Sequence, residues 1–123
     1  MLFSSRFFKQ DTSIKMKQAI GQYLRELRTS EGFTLTQMGA KLGMDSGALS
    51  KIENGKKLLD SSFLPIIAEI FNLNLETLKS EFFAEKIAYE LIENSCNENT
   101  LKLAEEKVKY IKTKSATQAK LNI

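Results

Sequence analysis

Histidine is absent and Cys96 is the single cysteine, so the side chains that could do chemistry here are hydroxyls, amides, carboxylates and amines. That removes disulfide frameworks, the usual zinc ligand sets and the commonest general base together. No nucleophile, base and orienting group can be assembled from what remains, so neither an enzyme nor a bound metal or cofactor is expected. Cys96 lies in the polar stretch from Glu93 to Thr100 and reads as an incidental thiol rather than a redox switch. What does cluster is hydrogen-bonding and cationic chemistry. Thr34, Thr36 and Gln37 come first, then Ser46, Ser50 and Lys51, then Asn54, Lys56 and Lys57. Side chains of this kind recognise polar edges and anions, and they do so usefully only when rigid elements hold them.

The chain has 123 residues, enough for one compact domain plus an extension without metals or disulfides. Apolar residues make up 42% and charged residues 27%, with one proline and six glycines, which suits a mostly helical protein. Residues 1–13 read as an arm, because Leu2, Phe3, Phe7 and Phe8 keep no spacing and Arg6 and Lys9 interrupt them. From about Ile14 the pattern turns helical, with Ile20, Tyr23, Leu24 and Leu27 on one stripe and Gly32 as the left-handed stop. Thr34 and Gln37 form a T-x-x-Q capping box for a second helix that buries Met38 and Leu42 and stops at Gly43. Gly39 is expected to face the next helix, where two backbones come close. Asp45 can cap a third helix that buries Leu49 and Ile52 and closes at Gly55.

A fourth helix begins at Asp60 or Ser61, or as late as Ser62, because Pro65 is tolerated only near a helix start. It buries Leu64, Ile67, Ala68 and Phe71, and Asn72 ends it. Asn74 caps a long fifth helix carrying Leu75, Leu78, Phe82, Ile87 and Leu91, with no breaker before Asn94. After the polar turn NSCNEN, Leu101, Ala104, Val108 and Ile111 recur at three and four in a sixth helix. Residues 114–123 are polar and are expected to form a flexible, frayed tail.

Charge is uneven. Residues 1–60 carry ten Lys/Arg against six Asp/Glu, residues 61–95 two against six, and residues 96–123 six against three. A basic front half followed by an acidic helical stretch suits a nucleic-acid face on one side and a partner surface on the other. No apolar run reaches the roughly 18 to 20 residues that span a bilayer, and MLFSSRFFKQ lacks the apolar stretch of a secretory signal. A soluble cytoplasmic protein is expected.

Two short helices around a glycine turn are a weak signal alone. The surrounding residues make it specific: the Thr34 cap, the small Gly39, the turn Gly43, the apolar Leu49, then Ser50, Lys51, Ile52 and the Glu53-Asn54-Gly55 ending. Together, GFTLTQMGAKLGMDSGALSKIENGKK resembles the helix-turn-helix of the Cro-like phage repressor, or XRE, family. The resemblance runs from about Ile20 to Leu78. It implies an all-α fold, a five-helix lambda-repressor-like DNA-binding domain spanning 14–80, followed by a C-terminal helical extension. It further implies that the third helix enters the major groove of double-stranded DNA, with Ser46, Gly47 and Lys51 at the base-reading positions. Lys51 can donate to guanine O6 and N7 or serve as a phosphate contact, and Ser46 and Gly47 can also be read as small residues opening a helix. Phosphate contacts are expected from Thr34, Thr36, Gln37, Ser50, Asn54, Lys56 and Lys57. One departure stands out: the family often has glutamine directly after the cap, and this chain has Leu35.

The extension over 81–113 lies outside the minimal domain. Its acidic residues oppose contact with DNA, while Phe82, Phe83, Ile87 and Leu91 offer more apolar surface than one helix face needs. A hairpin of the fifth and sixth helices accounts for most of that surface, and a homodimer interface through the same residues is the functional reading. A dimer would read two half-sites about 10 base pairs apart. The expected activity is transcriptional repression or control at a palindromic operator, by competition or contact with RNA polymerase. The compact layout resembles restriction-modification controller proteins and small phage-type repressors. The competing readings are an antitoxin that holds a protein partner through its C-terminal helices and an adaptor that no longer touches DNA.

Overall fold

The computed structural model describes residues 19–121, with side chains placed through Ala116. The expected arm over 1–13 and the helix start near Ile14 lie outside the described residues. Among those described, the structure is all-helical: α1 (Ile20–Ser30), α2 (Leu35–Leu42), α3 (Ser46–Glu53), a single 3-10 turn (Ser61–Phe63), α4 (Leu64–Phe71), α5 (Leu75–Glu93) and α6 (Glu98–Leu121). The chain divides into two compact units, the second beginning at Lys86.

Each short helix of the first unit has a chemical start and stop. Thr34 Oγ1 accepts from Gln37 N at 3.0 Å while Gln37 Oε1 accepts from Thr34 N at 2.9 Å, closing the expected capping box on α2. The Asp45 carboxylate accepts from Ala48 N at 2.7 Å and starts α3. Asn74 does the same for α5 through Thr77 N. α1 begins at Ile20, where Ala19 is extended, with ψ 144°, and brings no capping side chain. Its first amide is satisfied from far along the chain, by Glu85 on α5, whose Oε1 accepts from Ile20 N at 2.7 Å. Gly43, at φ +82°, is left-handed and ends α2, and Asn72, at φ +53°, does the same for α4. Asp60 caps the 3-10 turn rather than the helix proper, so α4 starts only at Leu64, with Pro65 in its first turn.

The stripes predicted from spacing converge on one core. Leu24 and Leu27 of α1, Met38 of α2, Leu49 of α3, Leu64 and Ile67 of α4 and Leu78 of α5 are fully buried. The fifth-helix stripe, however, is buried only through Phe82; Ile87 is exposed and Leu91 half-buried. Phe82, expected at a dimer interface, instead belongs to this core, at 7% exposure, with its ring edge-on to Phe83.

Burial also leaves its mark on titration. The Tyr23 phenol is pushed up to about 12 by desolvation, with the Glu81 carboxylate adding to it, and burial likewise holds Glu81 above the ordinary carboxylate range. The unfolded chain ionises tyrosine near its ordinary value of 10.0, while the folded chain resists until about 12, so folding stability is lost between those values as pH rises. Tyrosinate absorbance should show one of the three tyrosines ionising last, together with a loss of helicity. Helicity unchanged to the end of that window would contradict the burial of Tyr23.

In the second unit, α6 runs to Leu121, so residues 114–121, expected as a frayed tail, continue the helix. Thr113, Ser115 and Ala116 are poor stop signals, and no glycine or proline follows Ile111. No residue of α6 through Ala116 is buried.

Candidate nucleic-acid interface

The interface is organised by α3, which packs against both α1 and α2. Two glycines permit the approach. A Cβ on Gly21 of α1 would collide with the Ile52 carbonyl of α3, so only glycine lets these helices touch backbone to backbone. Gly39 serves a neighbouring purpose: its Cβ position lies 2.6 Å from the Met44 carbonyl oxygen, in the α2–α3 turn rather than on the facing helix as expected from sequence.

A buried ion pair then fixes the far end of α3. Glu53 receives Arg28 Nε at 2.8 Å and Arg28 Nη2 at 3.0 Å, a bidentate arrangement with the two side chains only 3% and 12% exposed. Arg28 Nη1 also donates to the Phe33 carbonyl at 2.9 Å. One guanidinium thus ties the end of α1, the α1–α2 turn and the end of α3 together. Glu53 is therefore a positioning residue in the Glu-Asn-Gly ending. The chain leaves α3 through Gly55, at φ +75°, with Gly55 N bonded to Ile52 O and Lys56 N to Lys51 O. That closure sets where Lys56 begins its path from the helix.

On this scaffold the expected contact residues are presented together. Ser46, Gly47 and Lys51 are exposed on α3. Thr34, Thr36 and Gln37 are exposed at the start of α2, and Asn54, Lys56 and Lys57 at the end of α3. Ser50 is half-buried, and its Oγ accepts from Asn54 Nδ2 at 3.4 Å, so those two side chains orient one another. Because Gln37 uses its Oε1 in the capping box, its amide nitrogen is the end left to face outward. None of the ion pairs among the described residues involves Lys51, Lys56 or Lys57. Lys41, by contrast, rests over the Phe33 ring at 4.9 Å. Gly47 has no strained backbone, and the nearest atom to an added Cβ would be the Asp45 carboxylate at 3.3 Å, so its bareness opens the helix surface rather than serving the fold. Leu35, which replaces the family's glutamine, is half-buried and packs on the core.

The sequence reading missed Gly21, Arg28 and Glu85. The glycine sits inside a helical stripe with no turn signal, and the two charged residues find partners 25 and 65 positions away, beyond the reach of any local spacing rule.

The arrangement offers a good deal of hydrogen bonding: donors at two helix starts, an exposed third helix with small residues at its head, and exposed lysines behind it. No helix among the described residues is long and apolar enough to cross a membrane. Residues 19–81 match the Helix-turn-helix domain family. The chain is also similar to the ImmF control region 10 kDa protein of Bacillus phage phi105, with 37% identity over 60 residues, covering 49% of this chain and 67% of that protein. No solved structure gives a significant match. The match and the geometry lie on the same residues, from the start of α1 to the first turns of α5, and the chain belongs to the Cro-like, or XRE, helix-turn-helix family as an all-helical DNA-binding regulator.

Proposed function

We propose that this protein is a sequence-specific transcriptional regulator that binds a palindromic operator as a homodimer, with α3 of each copy in a major groove. The observation that carries this reading is the exposed set of Ser46, Lys51, Lys56 and Lys57 on a motif whose α3 is locked by the Arg28–Glu53 pair. Ser46 and Lys51 reach base edges, and bare Gly47 admits a thymine methyl. Thr34, Thr36, Gln37, Ser50, Asn54 and the two following lysines hold the phosphates that set the register. The similarity to a phage control-region protein supports a regulatory role. Regulation then follows from occupancy, through competition or contact with RNA polymerase, in a cytoplasmic setting and without catalysis.

The lysines separate into two expected behaviours. Lys51→Ala should relax preference at one position per half-site, with a loss of about 1–3 kcal/mol on the preferred sequence. Lys56→Ala and Lys57→Ala should weaken binding to all sequences alike and lower the salt slope by about one for each phosphate no longer neutralised. A uniform loss for Lys51→Ala would reassign it to the backbone.

The exposed apolar residues of α6 favour a second reading, an antitoxin-type regulator that holds a protein partner through its C-terminal helices. Stoichiometric co-purification with the product of a neighbouring gene is the observation that would support it.

A further inference from the structure

We propose that Asp45 is a further specificity-determining residue, whose carboxylate accepts from the exocyclic amino group of a cytosine in the major groove while it caps α3. The proposal rests on the reading above, in which α3 of each copy lies in that groove.

Asp45 offers more than a cap requires. One oxygen, Oδ1, accepts from Ala48 N at 2.7 Å, which fulfils the capping role. Among the described residues no other hydrogen bond and no ion pair involves this side chain, and the residue is exposed. Its second oxygen is therefore open to a donor from outside the chain. Elsewhere the chain caps its helices with neutral groups, Thr34 on α2 and Asn74 on α5, so capping alone does not call for a negative charge. On a face turned to DNA that charge repels every phosphate, a cost that is offset where the carboxylate meets a donor.

Gly47 leaves the carboxylate uncovered. Its Cβ position lies 3.3 Å from Asp45 Oδ1, so the carboxylate sits against the exposed side of α3 that carries Ser46, Gly47 and Lys51. A larger side chain at 47 would stand beside the carboxylate and screen it. With glycine there, the acceptor lies bare on the surface that base edges would meet.

Hydrogen-bonding capacity identifies the base. An ionised carboxylate only accepts. In the major groove guanine presents the acceptors N7 and O6 and thymine the acceptor O4, so both are repelled. Adenine sets its N6 amino donor beside the acceptor N7, whereas cytosine presents its N4 amino donor with no acceptor next to it. Cytosine is the base that an uncompensated carboxylate fits best. Lys51, which only donates, suits guanine instead. One helix thus carries an acceptor-only and a donor-only group with opposite preferences.

The test is selection of bound duplexes with the full chain, wild type against Asp45→Asn and Asp45→Ser, at one fixed salt concentration. Asparagine and serine keep an oxygen for Ala48 N, so circular dichroism and melting temperature should stay close to wild type. The wild-type consensus should hold a cytosine at one position per half-site, and changing it to thymine should weaken binding about tenfold. Both variants should lose the preference at that position alone, with asparagine moving it toward adenine, and both should bind unrelated duplexes more tightly than wild type. Either variant decides the matter by itself, should the other fold poorly. A wild-type consensus without that cytosine, or variants that return the wild-type consensus unchanged, would make Asp45 a cap only and overturn the proposal while the regulator reading stands. A flat wild-type pool would overturn that reading and this proposal together.

Discussion

Glu53→Ala should cost the first unit about 3–5 kcal/mol, because it leaves the Arg28 guanidinium buried with no carboxylate to meet it. At about 4–8 °C per kcal/mol for a domain of this size, the melting temperature should fall by at least about 12 °C. The removed group matters less than the one left behind. Arg28 would keep its bond to the Phe33 carbonyl but lose both bonds to Glu53, at 2.8 and 3.0 Å, in a place water does not reach freely. Replacing both partners together, Arg28→Met with Glu53→Leu, should recover much of the loss, since no unpaired charge then remains. Thermal denaturation of the single and double variants measures the difference. A single variant as stable as wild type would mean the pair contributes nothing to holding α3.

Gly21→Ala is the second large effect, and its sign is informative. In an exposed helix interior this change stabilises by up to about 1 kcal/mol, because alanine has the better helix propensity. At Gly21 the new methyl would meet the Ile52 carbonyl of α3, a backbone atom that no side-chain rotation can move aside. The helices must separate, and overpacking of this kind typically costs about 1–3 kcal/mol, rising when backbone has to shift. A net destabilisation of about 2 kcal/mol is expected by denaturant titration. DNA binding should weaken further than stability alone explains, because α3 would be displaced from its place against α1. A stabilised variant would show that α1 and α3 do not touch backbone to backbone.

Much of the first unit was legible because its signals are local. Thr34 with Gln37, Asp45, Gly43 and Asn72 announce helix ends through chemistry that acts within a few residues, and the structure places them as caps and stops. The core stripes were legible for the same reason, since 3.6-residue spacing marks a buried face whatever covers it. Phe82 shows the limit of that argument. Spacing alone carries the apolar pattern of α5 on from Leu75 to Leu91 but does not say where the domain core stops and free surface begins. Arg28, Glu53 and Glu85 were illegible because charged residues at surface-like spacing look solvated until the fold brings their partners. For the proposed DNA face, the exposed residues were readable, and the scaffold that holds them was not.

The central claim is that α3 reads base sequence as part of a two-fold symmetric pair. Selection of bound duplexes from a random pool, using the full chain at fixed physiological salt, tests it most directly. The predicted result is a palindromic consensus with half-site centres about 10 base pairs apart, informative at the positions that Ser46, Gly47 and Lys51 face. A pool that stays flat after repeated rounds, with binding that merely tracks salt, would contradict it.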